Sequence, residues 1–503
     1  MLLCLKKKDN MYSNKENVNI LTSLLVAHGI HHAVVCPGSR NAAIVHNLNE
    51  CPDITCYPVT DERSAGFYAL GMTQALKEPV VVCVTSGTAL LNLTPAVAEA
   101  YYQHQPVVVI SADRPQQWID QLDGQTLPQP DALGRFVRKA VSLPEPHDED
   151  TRWYCNRLIN EALMEKHAPV HINVPITEPL FAFTTPELPT ERKIELTTAD
   201  ISNVTLTHVC RMFMQAKRPM LIAGQPMNPL MDEAIMQIGD DESYVPDFVL
   251  YTGGSIVSKR LKRFLRKAKE TWVVNREGEA TDTFMNLTHV IQGDGEMVAD
   301  MIRFNLEEMQ HPFVKKWEAL LTNIRQQVEA NEPPYSQAAI VKYFEQKRGD
   351  SPVHYANSMA IRLANTYAKT PVYCNRGVNG IEGSLSTAAG FSVVTDENVF
   401  CVIGDLSFFY DQNALWNQNL QGNFRILLMN NGKGVIFDML PGLEQSPARD
   451  KYVAAEHHAN AEGICQQNNV NYRRAENMKE MQEGIDWLIE TETEYPLLLE
   501  VFL

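Results

Sequence analysis

Residues 398–432 read NVFCVIGDLSFFYDQNALWNQNLQGNFRILLMNNG, and the alternation inside this stretch decides the fold. The apolar run VFCVI ends at Gly404-Asp405, SFFYDQNALWNQN has a helix-like pattern, and FRILLM is a second apolar run that ends at Asn430-Asn431. A strand, a helix and a strand make one crossover between parallel strands, which brings the two strand ends side by side. Asp405 and Asn431, 26 residues apart, are then neighbours at one sheet edge. A carboxylate, an amide oxygen and a nearby backbone carbonyl are hard ligands suited to octahedral Mg²⁺, whose other positions go to diphosphate oxygens and water. Gly404 lets the backbone approach the phosphates, and the helix start after it favours an anion. Read alone, the same residues are also ordinary turn formers at strand ends.

Working outward, the alternation fills residues 15–180: HHAVVCPGS then NAAIVHNLNE, PVVVCVTSG then TALLNLTPAVAEAYY, and PVVVISADRP. Buried strands followed by helices imply a parallel α/β sheet covered on both faces. Ligands bind such sheets at the C-terminal strand ends. Pro37-Gly38-Ser39-Arg40, Thr85-Ser86-Gly87-Thr88 and Asp113-Arg114-Pro115 fall there. The proline-punctuated TTPELPTERKIELTTAD reads as a linker, after which RPMLIAGQP and ETWVVNREGE restart a smaller α/β pattern. A charged helical run over 313–330 leads to Asn331-Glu332-Pro333-Pro334, and TPVYCNRG, NVFCVIGD, FRILLMNNG and PLLLEVFL supply the last strands. The chain of 503 residues, too long for one core, is therefore expected to be α/β. Residues 1–10 read as an upstream-start extension, with Met11 as the functional beginning.

Lys plus Arg number 44 against 61 Asp plus Glu, a net charge of −17 that argues against a nucleic-acid partner. It leaves room for a local cationic pocket that takes an acidic metabolite. The ten cysteines show no C-x-x-C spacing and read as reduced core residues of a cytoplasmic protein. No run approaches the ~18 apolar residues of a membrane span. His31-His32 and His457-His458 lack zinc-site spacing and read as solvated or packing histidines. Neither a P-loop nor G-x-G-x-x-G is present, which weakens a nicotinamide-oxidoreductase reading.

A second motif changes the weight of the first. DERSAGFYALG (61–71) places Glu62 at the start of a small-residue helix; alone, it is Asp61 as N-cap with Glu62 as a first-turn acid. Together, the GD…NN pair and this glutamate resemble the cofactor-binding motifs of thiamine-diphosphate enzymes. PGSR (37–40), TSGTALLNLTPAVAEA (85–100), SADRP (111–115), NSMAIR (357–362), NRGVNGIEGSLSTAAG (375–390), GDLSFFYDQNAL (404–415) and NNGKGVIFDMLP (430–441) narrow the resemblance. The chain is similar to the 2-succinyl-5-enolpyruvyl-6-hydroxy-3-cyclohexene-1-carboxylate synthases of menaquinone biosynthesis, through both ends and in outline in the middle.

The resemblance implies three doubly wound parallel-sheet domains: pyrimidine-binding (11–183), central (195–330) and diphosphate- and Mg-binding (335–503). It implies a transferase that decarboxylates 2-oxoglutarate and adds the succinyl unit to isochorismate. Thiamine diphosphate would be the electron sink, held by Mg²⁺ or by Mn²⁺ in its place. By the same carry-over Glu62, Arg40 and Gln125 are catalytic, and Glu62, Ser358, Arg376, Ile381, Gly404, Asp405 and Leu406 contact the cofactor. Asp405, Asn431 and the Lys433 carbonyl hold the metal. Ser39, Arg40, Arg114, Gln125, Lys259, Asn357, Ser358, Arg362, Arg376, Ile436 and Phe437 meet substrate. Both substrates are dicarboxylates, which suits the planar forks of arginines. A homodimer or dimer of dimers with active sites between subunits is implied as well. Two departures stand out: Asn430-Asn431-Gly432-Lys433-Gly434-Val435 where the family often has NNNGGG, and Leu122-Asp123-Gly124-Gln125 where it has Gly-Ala-Asn-Gln. An acetolactate-type carboligase or a catalytically silent paralogue would share Glu62, Asp405 and Asn431.

Overall fold

The apolar runs become strands of three all-parallel sheets in a computed structural model that describes residues 11–197, 201–223, 229–309 and 311–503. The expectation for residues 1–10 lies outside the described residues. The first sheet has the spatial order Thr55–Pro58, His32–Val35, Val80–Val84, Val107–Asp113, Val170–Pro175, Lys139–Ser142. The last has Val353–Tyr355, Val399–Gly404, Phe424–Asn430, Leu497–Phe502, Asn471–Ala475. Beyond Val353–Tyr355, Tyr373 makes one parallel bridge to His354, in the place that Thr55–Pro58 takes in the first sheet. The two sheets therefore share one winding order and one kind of reversal point, where open α/β sheets take their ligands. Between them a four-stranded sheet runs in sequence order: Pro219–Ile222, Phe248–Tyr251, Glu270–Asn275, Leu287–Gln292. Central strands such as Val80–Val84 and Phe424–Asn430 are buried at every residue, as sheets covered on both faces require.

Three local expectations are corrected. TPVYCNRG is a single bridge rather than a strand. Pro371 has no N–H to pair, and the chain is drawn away where Asn357 Nδ2 donates to Asn375 O and Gly380 O at 2.7 and 2.8 Å. TALLNLTPAVAEAYY breaks into Thr88–Asn92 and Thr94–Tyr102, because Pro95 is tolerated only in a first helical turn. SFFYDQNALWNQN is helical only over Asp405–Tyr410, followed by a 3₁₀ turn at Gln412–Leu415. Its polar side chains take partners outside the helix: Asp411 accepts from Ser386 N and Oγ, Asn413 donates to Asp61, and Asn419 donates to Pro58 O.

The first and last domains join backbone to backbone. A Cβ on Gly71 would fall 1.9 Å from Thr387 O, and one on Gly390 would fall 2.2 Å from Tyr68 O. Helices Glu62–Leu76 and Ser384–Ser392 pass this closely because glycine stands at both crossings. Leu70, Leu385, Ala388 and Ile403 then share one core. Val257 of the central domain enters the core of the last domain beside Cys374. Residues 186–194 lie along the first domain, with Asn156 donating to Arg192 O and Ile194 N to Asn160. Among the described residues no helix is long and apolar enough to cross a membrane.

Candidate active site

Strands Val399–Gly404 and Phe424–Asn430 are adjacent and in register from Val399–Phe424 to Gly404–Met429, so Asp405 and Asn431 leave neighbouring strand ends. Asp405 is buried; Oδ1 accepts from Leu406 N at 2.7 Å and Oδ2 from Asn431 N at 3.0 Å. Leu406, expected to contact the cofactor, thus gives its N–H to Asp405. Burial raises the Asp405 carboxyl above its ordinary value, opposed by the Leu406 N–H, by His457 and by the Asn431 N–H.

The two asparagines separate. Asn430 Nδ2 donates to Glu500 Oε1 and Ala459 O, and its Oδ1 accepts from Gly432 N, so it is built into the domain. Asn431 is half-buried, and its Oδ1 accepts Lys433 N at a long 3.3 Å. Lys433 turns its ammonium to Asp438 at 2.8 Å and leaves its backbone at the loop. Asp405, Asn431 Oδ1 and the Lys433 carbonyl, which now accepts Val435 N at 2.9 Å, are hard oxygens of the type an octahedral divalent cation takes. A Cβ built on Gly404 meets nothing within 4 Å, so the cradle beside the anchor has room for a ligand.

Glu62 occupies the first turn of its helix, which Asp61 caps by accepting from Arg63 N and Ser64 N at 2.9 and 3.3 Å. The reading of DERSAG as an Asp61 N-cap with Glu62 in the first turn thus holds. The Glu62 carboxylate is half-buried, with Asn92 Nδ2 at 3.3 Å. Among the described residues no hydrogen bond or ion pair joins Glu62 to Asp405, Asn431 or Lys433. Ile381, expected beneath a cofactor, is 41% exposed. Ile436 and Phe437 are half-buried in the 3₁₀ turn Val435–Met439 that follows the anchor loop.

The expected cations form two groups. Arg40 is buried and donates to Ile176 O and to Glu178, both at 3.2 Å. Arg114 lies 4.0 Å from the same Glu178, meets Asp123 at 3.0 Å and donates from Nε to Gly124 O. Ser39 and Gln125 are exposed at this edge, and Gln125 has φ +56 with its backbone against Gly87. The second group is Arg362, Arg376 and Lys259. Arg376 donates to Asn357 Oδ1 at 3.0 Å, while its Nε is buried without a partner. Burial depresses the Arg376 guanidinium, and the neighbouring Arg362 adds to this. Asn357, whose amide holds the 375–380 loop, acts as a bracket for that arginine. Ser358 caps the Arg362 helix at φ +74, a region costly for a residue with a Cβ.

Sequence reasoning missed four residues. Lys262 stands one turn from Lys259; burial depresses its ammonium, and Arg376 and Lys259 depress it further. Among the described residues none of Lys259, Lys262, Arg362 and Arg376 makes an ion pair with a carboxylate; the Glu99 charge acts on Arg376 from further off and opposes the depression. Lys259 opens its helix, where the dipole disfavours a cation, and Lys262 lies in the last turn of the same short helix. The run of basic residues was visible in SKRLKR. Glu99 is buried and accepts Gly377 N and Val378 N, both at 2.6 Å, across the domain boundary. Asp411 holds the Ser384–Ser392 helix through Ser386. His457, read as solvated or packing, lies 3.5 Å from Asp405 Oδ2, while His458 is exposed. No signal in the sequence marked these last three.

Residues 16–133 match the family model described as thiamine pyrophosphate enzyme, N-terminal TPP binding domain. A 2-succinyl-5-enolpyruvyl-6-hydroxy-3-cyclohexene-1-carboxylate synthase of Bacteroides fragilis is 42% identical, over 98% of this chain and 97% of that protein. The synthase of the same name from Bacteroides thetaiotaomicron is 42% identical over 98% and 96%. That from Porphyromonas gingivalis is 35% identical over 86% and 85%.

Proposed function

Since the chain belongs to the 2-succinyl-5-enolpyruvyl-6-hydroxy-3-cyclohexene-1-carboxylate synthase family of thiamine-diphosphate-dependent enzymes, we propose that it acts on 2-oxoglutarate and isochorismate. The products are 2-succinyl-5-enolpyruvyl-6-hydroxy-3-cyclohexene-1-carboxylate and CO₂, made for menaquinone in the cytoplasm. The observation that carries the substrate class is the gathering of Arg362, Arg376, Lys259 and Lys262, with no ion pair to a carboxylate among the described residues, in a chain of net charge −17. Unpaired cations held together this way are relieved by an anionic ligand. A carboligase for monocarboxylic substrates has less use for them.

Mg²⁺, with Mn²⁺ able to replace it, would be held by Asp405, Asn431 Oδ1 and the Lys433 carbonyl. Bound thiamine diphosphate supplies the electron sink for decarboxylation and carbon–carbon bond formation. Gly404 leaves space for the diphosphate, and Ile381 presents an apolar side chain to the bound cofactor. The Glu62 carboxylate bonds the aminopyrimidine ring and holds a proton there. Arg40 and Arg114 now share Glu178; a substrate carboxylate displaces that side chain, which is exposed and free to swing away. Arg376, braced by Asn357, and Arg362 bind a second carboxylate through planar forks. Ile436 and Phe437 shield the reacting carbons from water.

We further propose a homodimer, or a dimer of dimers, in which Glu62 of one subunit serves the anchor of another. The absence, among the described residues, of a bond between Glu62 and the anchor within one chain, and the exposure of Leu91 (42%) and Tyr410 (53%) beside the Glu62 turn, support this. Mass detection of the coupled product from 2-oxoglutarate and isochorismate, with and without thiamine diphosphate, tests the reaction; cofactor-independent or absent product would refute it. Mixing Glu62→Gln with Asp405→Ala chains tests the dimer. Shared sites would recover up to about a quarter of the activity, and no recovery after refolding the mixture would refute sharing.

A further inference from the structure

The anchor loop is backed by a segment distant in sequence. Gly434 N donates to Ala454 O at 2.7 Å and His457 N to Gly432 O at 2.8 Å, so two backbone bonds clasp residues 432–434 against 454–457. The clasp delivers the His457 ring to Asp405. Its Nδ1 accepts from Ala459 N at 3.1 Å, so in the neutral imidazole the proton sits on Nε2. Nε2 faces Asp405 Oδ2 at 3.5 Å and has no hydrogen-bond partner of its own. The Phe409 ring stands edge-on to the imidazole at 5.4 Å and limits its rotation. A buried N–H aimed at a carboxylate just beyond bonding distance is satisfied by a shift of a few tenths of an ångström. A cation drawn to Asp405 supplies a reason for that shift, because Mg²⁺ demands close, well-aligned oxygen ligands.

We propose that His457 is a positioning residue of the cation site: its Nε2–H donates to Asp405 Oδ2 in the metal-bound state and fixes the carboxylate in its ligating orientation. The inference rests on the reading of Asp405 as a metal ligand. Outer partners of this kind commonly change metal affinity by about 10–100-fold. They fix the ligand so that less orientational freedom is lost on binding.

Two substitutions separate positioning from packing. His457→Asn keeps an acceptor for Ala459 N but has nothing at the Nε2 position, whereas His457→Gln carries an amide N–H to about that position. Mg²⁺ would be titrated into each protein at fixed thiamine diphosphate, with cofactor binding followed by tryptophan fluorescence and by calorimetry. The melting midpoint of the cofactor-free protein serves as the structural control. The expected result is Mg²⁺ affinity weakened about tenfold or more in His457→Asn and kept within about threefold in His457→Gln, with unchanged midpoints. Any other pattern of affinities overturns the role, as does a fall in the His457→Asn midpoint that His457→Gln shares. Failure of the unsubstituted chain to bind thiamine diphosphate in a Mg²⁺-dependent way would instead overturn the anchor, and this inference with it.

Discussion

Asn430 and Asn431 are chemically identical neighbours with opposite surroundings, so alanine should produce opposite phenotypes at the two positions. Asn430 donates to Glu500 Oε1 at 2.7 Å and to Ala459 O at 2.9 Å, and accepts from Gly432 N at 3.1 Å. Glu500 is fully buried, and its other donors are Ala461 N and the Tyr472 hydroxyl. Asn430→Ala therefore leaves a buried carboxylate one donor short. A hydrogen bond to a charged group contributes about 1.5–3 kcal/mol, and the two neutral bonds add about 1 kcal/mol between them after water replaces part of each. A loss of about 3 kcal/mol lowers the melting midpoint by roughly 6–12 °C in a cooperative unit of domain size. Asn431→Ala removes one long bond from a half-buried side chain and should cost about 0.5 kcal/mol or less. It should instead weaken Mg²⁺-dependent thiamine diphosphate binding at least about tenfold, because it deletes a proposed ligand of the cation. Scanning fluorimetry without cofactor and Mg²⁺ titration at fixed thiamine diphosphate read the two effects separately. Equal destabilisation by the two substitutions, or unchanged Mg²⁺ affinity in Asn431→Ala, would refute the reasoning.

Glu62→Gln should bind thiamine diphosphate within about threefold of the unsubstituted chain yet lose turnover at least about a hundredfold; near-normal turnover in steady-state assays would remove the role. Lys262→Met keeps the aliphatic stem but deletes one of four crowded cations, so KM for a dicarboxylate should rise about fivefold with kcat little changed. An unchanged KM would put Lys262 outside the binding field. Burial pushes the Asp411 carboxyl up to about 7, against the hydrogen bonds from Ser386. The folded state thus holds this proton more tightly than the unfolded chain, so the stability it contributes is full below about pH 4 and lost as pH rises through about 7. Asp411→Asn should lessen that fall, measured as midpoints across about pH 5–8; parallel pH profiles for the two proteins would contradict the assignment.

The alternation of apolar runs and helical stretches was enough to read the α/β class and the parallel sheets, because strand burial on both faces writes itself into consecutive residues. The pairing of Asp405 with Asn431 was legible for the same reason: a single crossover is a local event, and it ends where the chain leaves two neighbouring strands. The Asp61 cap that starts the Glu62 helix is likewise a matter of three or four residues. Local pattern misjudged SFFYDQNALWNQN, whose own polar side chains bond to other elements, and TPVYCNRG, whose Asn375 carbonyl is taken by the Asn357 side chain.

Sequence by itself thus determined which residues could make an anchor, and only the tertiary structure decided which of them are available to it. Asn430 is withdrawn from the site by Glu500, 70 residues further on, and the 377–378 loop is held by Glu99 from 278 residues away. Lys262 is brought within the field of Arg376, and Val257, five residues before it, enters the core of another domain. His457 meets Asp405 through two backbone bonds to the anchor loop. Each depends on contacts between segments far apart in the chain, and neither propensity nor spacing carries information about those; burial, charge and hydrogen bonding in the folded core do.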